Sequence, residues 1–222
     1  MKNLDTTIDS PRRPAGPDQR AQLLRAAATQ FAMTGFRGTT TLMIARAAGI
    51  SEHVLCVHFG SKECLFREAV EDNIETRLRL LEARTVSARY ESEIAAIRHI
   101  AEATVIVCVT GPANSRLTHW ALLEDPEYAA DLYRHELGSV ELVWNREFAG
   151  RFPDSRSCRI LSVNLVPYAV HACLAYGFWL ATLPHDAASA TALAQGFAAG
   201  VAQAASALLS QPSRTTRHQS ES

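Results

Sequence analysis

The sequence predicts an all-α fold, and three observations predict it. Apolar residues recur at three- and four-residue spacing across nearly the whole of residues 18–210. No run of alternating β-branched residues offers a strand. Glycine and proline then punctuate the periodic stretches at helix-length intervals: Gly35, Gly38, Gly49, Gly60, Gly111–Pro112, Asp125–Pro126, Phe152–Pro153 and Pro184. The expected architecture is an N-terminal three-helix unit followed by a larger helical bundle, about nine helices in total.

The first helix runs from about Asp18, an acidic residue suited to a first turn, to Thr34, with Leu24, Ala27, Ala28 and Phe31 on one face. Threonines 39–41 offer a hydroxyl cap for a short second helix through Ile44 to Ala48. Gly49 supplies the turn, and Ser51 caps a third short helix that turns Val54, Leu55 and Phe59 inward. Gly60–Ser61 ends that helix and caps a fourth, whose stripe of Phe66, Ala69, Val70, Ile74, Leu78 and Leu81 continues to about Arg84. Five later helices are expected near 90–109, 113–123, 126–150, 156–183 and 186–209. The predicted division is a disordered arm at 1–17, a helix-turn-helix domain at 18–64, a helical domain at 65–210 and a disordered tail at 211–222.

At 222 residues the chain is long enough to bury a sizeable core. Its formal net charge of −1 gives no global drive toward nucleic acid, so any such affinity must come from a local patch. Five cysteines (Cys56, Cys64, Cys108, Cys158, Cys173) are odd in number and scattered, against both a disulfide framework and a zinc site. The stretch MKNLDTTIDSPRRPAG lacks the apolar segment of a secretory signal, so a cytoplasmic location is expected. Leu161–Leu183 carries no Asp, Glu, Lys or Arg over a length that spans a bilayer; a helix buried between helices is the preferred reading of it. Catalysis is not expected. The histidines show no metal spacing, Ser115 and Ser206 lack a nucleophile-elbow context, and QGFAAG at 195–200 lies inside a helix with no preceding strand. No metal or cofactor is expected.

The chemistry is concentrated in GFRGTTTLMIARAAGISEHVLCVHFGSKECLF, residues 35–66. Two short helices that cross steeply need small residues where they touch, here Ala45, Ala48 and Gly49, over a wedge of Ile44, Ile50, Leu55 and Phe59. The second of them then presents polar side chains to base edges in a DNA major groove. Helix starts bearing hydroxyls and free N–H groups, at Thr40–Thr41 and at Ser61–Lys62, suit phosphate. An ordinary bundle with surface histidines is the alternative reading of the same residues.

AAATQFAMTGF, TTTLMIARAAGIS and LCVHFGSKECLF resemble, in order and spacing, the DNA-binding region of the TetR/AcrR family of repressors over residues 20–66. The resemblance implies that Thr41 contacts phosphate at the start of the second helix and Lys62 at the start of the fourth. It also implies that Ser51, Glu52, His53 and His58 line or flank the groove-facing side of the third. Glu52 is suited to accept from cytosine N4, and Val57 to meet a thymine methyl. Arg46 is either solvated or on the DNA backbone, and Thr40 joins the second helix start. The family's usual phosphate-clamping tyrosine is Cys56 here, followed by Val57, and His53 stands where a small residue is usual. Both departures predict a changed operator preference. Arg12, Arg13 and Arg20 form either a minor-groove arm or a solubilising tail.

For the second domain the family resemblance implies a small-molecule pocket and a dimer made by the last two long helices. Residues 187–207 support the dimer independently, with eleven alanines plus Gly196 and Gly200 permitting close helix approach. An apolar, aromatic-bearing bundle points to a mainly hydrophobic effector, with Trp120, Tyr133, Trp144, Tyr168 and His171 as candidate contacts and core packing as the competing reading of each. The expected function is therefore a one-component regulator, a repressor on the family pattern. It would bind a palindromic operator as a homodimer and be released by a ligand. The alternatives are a helical binding module that has lost operator binding, a redox sensor through Cys56 and a membrane-associated helical protein.

Overall fold

The computed structural model describes residues 17–110, 116–152, 156–183 and 186–210. Ten helices lie in them: α1 (Pro17–Gly38), α2 (Thr41–Ala47), α3 (Glu52–Phe59), α4 (Lys62–Thr85), α5 (Glu93–Val109), α6 (Arg116–Glu124), α7 (Pro126–Ala149), α8 (Arg156–Asn164), α9 (Val166–Thr182) and α10 (Ala187–Ser210). The described residues contain no strand. Apart from Pro17, which opens α1, the expected arm and tail lie outside them.

Two hydrophobic cores hold the helices together. The first packs Leu23, Ala27 and Phe31 of α1, Ile44 and Ala45 of α2, Leu55 and Phe59 of α3, and Leu65 to Ile74 of α4. Leu117 and Ala121 of α6 and Leu132 of α7 join it, so two later helices floor the N-terminal unit. Phe66 meets Phe31 edge-on with ring centroids 5.0 Å apart, a favoured aromatic geometry. The second core packs α5 among α7, α9 and α10, with Ile97, Ile100, Trp144, Phe148, Val170, Leu174 and Ala198 all buried. Leu78 of α4 packs against both cores.

Two glycines are fixed by geometry. Gly35 interrupts α1 with φ 73° and ψ 176°, a conformation essentially reserved for glycine. A Cβ there would lie 3.1 Å from the Trp120 ring and 3.1 Å from Glu124 Oε1. The expected end of the first helix at Gly35 is thus a real break, after which one further helical turn reaches Gly38. On α9, a Cβ at Gly177 would sit 2.5 Å from Cys108 Cβ, so α5 and α9 approach at a distance only glycine allows.

One expectation is corrected. Residues 156–183 are not one helix but two, broken at Leu165 (φ −118°, ψ −46°). Pro167, in the first turn of α9, has no N–H to give to the carbonyl four residues earlier, and its ring obstructs that carbonyl. The extra break makes ten helices rather than about nine. It also divides the uncharged Leu161–Leu183 stretch, whose Leu161, Val166, Val170, Cys173, Leu174 and Phe178 are buried in the protein. Among the described residues one helix, α10, is long and apolar enough to cross a membrane by length and composition alone.

Where α4 passes from one core to the other lies Arg77, 4% exposed. Its Nη2 donates to Glu136 Oε1 of α7 at 2.6 Å and to Thr118 Oγ1 of α6 at 2.9 Å, and its Nε donates to Glu136 Oε1 at 3.2 Å. Nη1 donates to Asn73. A buried charge is tolerated when it is paired and hydrogen-bonded in this way, and removing one partner strands the other. Arg77 and Glu136 stand within apolar stripes of their own helices, which was the available sequence signal for a buried pair.

Candidate nucleic-acid interface

The turn between α2 and α3 bends the chain by 108°. Gly49 makes this possible with φ 68°, while Ile44, Ala45 and Leu55 are at most 1% exposed and fill the contact. Each short helix begins on a hydroxyl cap. Thr40 Oγ1 accepts from the Met43 N–H, Ser51 Oγ from the Val54 N–H and Ser61 Oγ from the Cys64 N–H. Thr40 and Ser51 therefore hold the second and third helices in place, and their hydroxyls are engaged with the protein's own backbone.

With Leu55 and Phe59 turned inward, α3 presents Glu52, His53, Cys56 and Val57 to solvent. Positions 53, 56 and 57 share one face of a helix by their three- and four-residue spacing. Val57 is 69% exposed, so its side chain is open to a partner outside the chain. Thr41 donates its hydroxyl to the Glu52 carboxylate, fixing the acidic side chain against the start of α2. His58 is half-buried beside Phe59, with ring centroids 6.3 Å apart. Arg46 is exposed in the last turn of α2.

Lys62 has a role the sequence reading did not provide for. Its Nζ donates to the carbonyls of Phe36 and Thr39, each at 3.0 Å, and stands 4.1 Å from the centre of the Phe36 ring. The ammonium thus closes the end of α1 onto the start of α4. Nearby, Glu63 is held below the ordinary carboxylate range by its own backbone N–H and the Ser61 hydroxyl, as expected at a helix start. Arg20 pairs with Glu68 and stands 5.1 Å over the Phe59 ring, so it braces α1 against α3 and α4, while Arg12 and Arg13 lie outside the described residues. Sequence reasoning passed over Arg37, whose side chain is 91% exposed at the end of α1, and the exposed Leu42 and Met43 at the start of α2. The signal for the last pair was a helix with more apolar residues than one buried face needs.

The chain matches the family model described as bacterial regulatory proteins, tetR family, over residues 23–69, the segment that builds this crossing. Residues 23–69 are thus a DNA-binding segment of the tetR type. The chain is similar to the HTH-type transcriptional repressor KstR2 of Mycolicibacterium smegmatis, 42% identical over 67 residues, 30% of this chain and 32% of that protein. The uncharacterized HTH-type transcriptional regulator YdgC of Bacillus subtilis is 35% identical over 66 residues, 30% of this chain and 33% of that protein. These matches span about a third of each curated relative. The whole fold is shared more widely. A tetR-family regulator from Mesorhizobium loti superposes with a TM-score of 0.64 at 17% identity, covering 86% of this chain and 96% of the other. Salmonella enterica GusR does so with a TM-score of 0.60 at 21% identity, covering 88% and 97%. The chain thus joins a tetR-type helix-turn-helix segment to a helical fold shared with tetR-family structures.

The five candidate effector contacts are not gathered in one place. Tyr133 and His171 meet, with the phenol 3.2 Å from His171 Nδ1, and Tyr133 packs edge-on against Phe178. Trp144 is fully buried and donates to Thr104 Oγ1 at 3.0 Å. Trp120 reaches the other core, donating to the Ala32 carbonyl at 3.3 Å. Tyr168 is 75% exposed. Of the cysteines, Cys56 and Cys64 are exposed, and burial pushes the Cys173 thiol up, away from the reactive thiolate.

Proposed function

We propose that this chain is a cytoplasmic repressor that binds a palindromic operator as a homodimer and is released by a mainly hydrophobic small molecule. The observation that carries DNA reading is the outward face of α3, where Glu52, His53, Cys56 and Val57 stand exposed on a short helix locked by its cap and core. A free carboxylate oxygen accepts from cytosine N4, an imidazole meets base or phosphate, and Val57 supplies an apolar contact for a thymine methyl. Thr41 and Arg46 are the phosphate contacts this reading assigns, and backbone N–H groups at the starts of α2 and α4 add to them.

The dimer reading rests on α9 and α10. Ala190, Ala194, Ala198, Ala202 and Ala205 bury one face of α10. Only 22% of its most apolar stretch is buried, and added Cβ atoms at Gly196 and Gly200 would meet nothing. Trp179 of α9 is 55% exposed and Leu193 of α10 is 43% exposed. A second copy is the occupant that would cover this apolar surface and set two recognition helices one DNA turn apart.

The test is a titration of the full chain into a duplex from its own upstream region, at two salt concentrations, with an unrelated duplex as control. Selective binding that weakens with salt is expected; equal binding to both duplexes would count against the proposal. The Lys62 geometry favours one second reading, a binding module without an operator, because it withdraws a cation from the phosphate-facing side. In that case neither duplex binds.

A further inference from the structure

α4, α5, α7 and α9 enclose a small void lined by Arg77, Leu78, Leu81, Thr104, Val107, Cys108, Glu136, Val140 and Leu174. Its free space for a water-sized sphere is about 10 Å³, enough for roughly one water. Most of the wall is hydrocarbon, and its polar groups are largely spoken for. Thr104 donates to the Ile100 carbonyl at 2.7 Å and accepts from Trp144 at 3.0 Å. Arg77 is engaged by Glu136, Thr118 and Asn73. Glu136 is the exception. Oε1 takes both bonds from Arg77, whereas Oε2 is buried with no partner, in a residue 1% exposed.

A buried carboxylate oxygen without a donor costs free energy, and native proteins leave few of them. We propose that this void is the polar anchor point of the effector site and that Glu136 Oε2 receives a hydrogen bond from an uncharged, mainly apolar effector bearing a hydroxyl or N–H. The assignment rests on the ligand-released regulator proposed above and names the chemistry of its ligand. An ammonium fits poorly, because Arg77 already balances the Glu136 charge and a further buried cation would have no partner. A carboxylate fits worse, since it would face Oε2 with like charge. An effector larger than a water must displace Leu78, Leu81 and Leu174. Two of these are on α4, the helix that runs into the DNA-binding core.

The experiment compares benzyl alcohol with toluene, its counterpart without the donor, using the full chain and reading binding by ligand-observed NMR and thermal shift. Benzyl alcohol should bind at least about tenfold more tightly than toluene, the value of a hydrogen bond to a charged acceptor. Glu136→Gln should collapse that preference. Since this substitution also leaves Arg77 short of a charge partner, Val140→Leu supplies an independent variant. It takes up space beside Glu136 without touching the polar pair and should weaken the binding of both probes. Equal affinity for the two probes, binding indifferent to both variants, or no binding of either probe (a trapped water only) would overturn the assignment. DNA binding is measured on the same samples. Intact operator binding with no probe preference refutes the effector chemistry alone. A probe preference without selective DNA binding refutes the repressor reading alone.

Discussion

Lys62 shows how one residue type supports two different physical roles. On DNA it would be a cation near phosphate; in this structure its ammonium satisfies the Phe36 and Thr39 carbonyls and covers the Phe36 ring. The two roles separate in measurement. Lys62→Met keeps the aliphatic stem and removes the donors. It should lower unfolding stability by about 1–2 kcal/mol in a urea titration, the cost of leaving partly buried carbonyls unpaired. A purely phosphate-bound lysine would leave stability unchanged and lower the salt slope of DNA binding by about one. Gly35 is a second position where one atom decides. Gly35→Ala forces an alanine into a glycine-only conformation with its Cβ against the Trp120 ring, and should destabilise by about 2–3 kcal/mol. Gly60→Ala, at φ 72° but with open space around it, meets backbone strain alone and should cost less in the same titration.

At the scale of elements, the caps and the outward face of α3 make separable contributions. Ser51→Ala removes the acceptor for the Val54 N–H and should cost about 1 kcal/mol, weakening binding to all operators alike through fraying of α3. Val57→Ala removes an exposed side chain, so stability should stay within about 0.5 kcal/mol while discrimination between thymine- and cytosine-containing half-sites falls. Competition binding with single-base operator variants separates the two patterns, and a Val57→Ala protein with unchanged discrimination would remove Val57 from the reading set. The N-terminal helices were legible in the sequence because their signals are local: a hydroxyl at each cap, a glycine at each turn and an apolar wedge at helical spacing. The division between α8 and α9 was equally local, carried by Pro167, but a long uncharged stretch outweighed it. Arg77 and Glu136 were not legible as a pair because 59 residues separate them and only the packing of α4 on α7 brings them together. The placement of the five candidate effector contacts was not legible for a similar reason. Aromatic residues on five positions say nothing of which neighbours each will meet, and Trp120 turns to α1, donating to the Ala32 carbonyl.

For the whole molecule, the exposed surface of α10 is what the single chain leaves unresolved energetically. Its buried alanines settle one face against α5, and the opposite face keeps Leu193, Gly196 and Gly200 in water; Trp179 of α9 is exposed as well. Small residues allow a partner helix to come within the shorter interaxial distances, so bulk introduced there should act on association and not on folding. Gly200→Leu places four carbons where an added Cβ meets nothing within the chain, and helix propensity favours leucine over glycine by several tenths of a kcal/mol. The isolated fold should therefore be as stable or slightly more so. In a dimer built across α9 and α10 the same side chain would meet the other copy's backbone and drive the helices apart. Sedimentation of the Gly200→Leu protein should show a shift from dimer to monomer at micromolar concentration with helical content unchanged. Operator affinity should fall steeply, because each half then binds without the other's contribution to local concentration. If Gly200→Leu still sediments as a dimer and binds the operator as before, the copies meet through a different surface, and the free face of α10 must have another occupant.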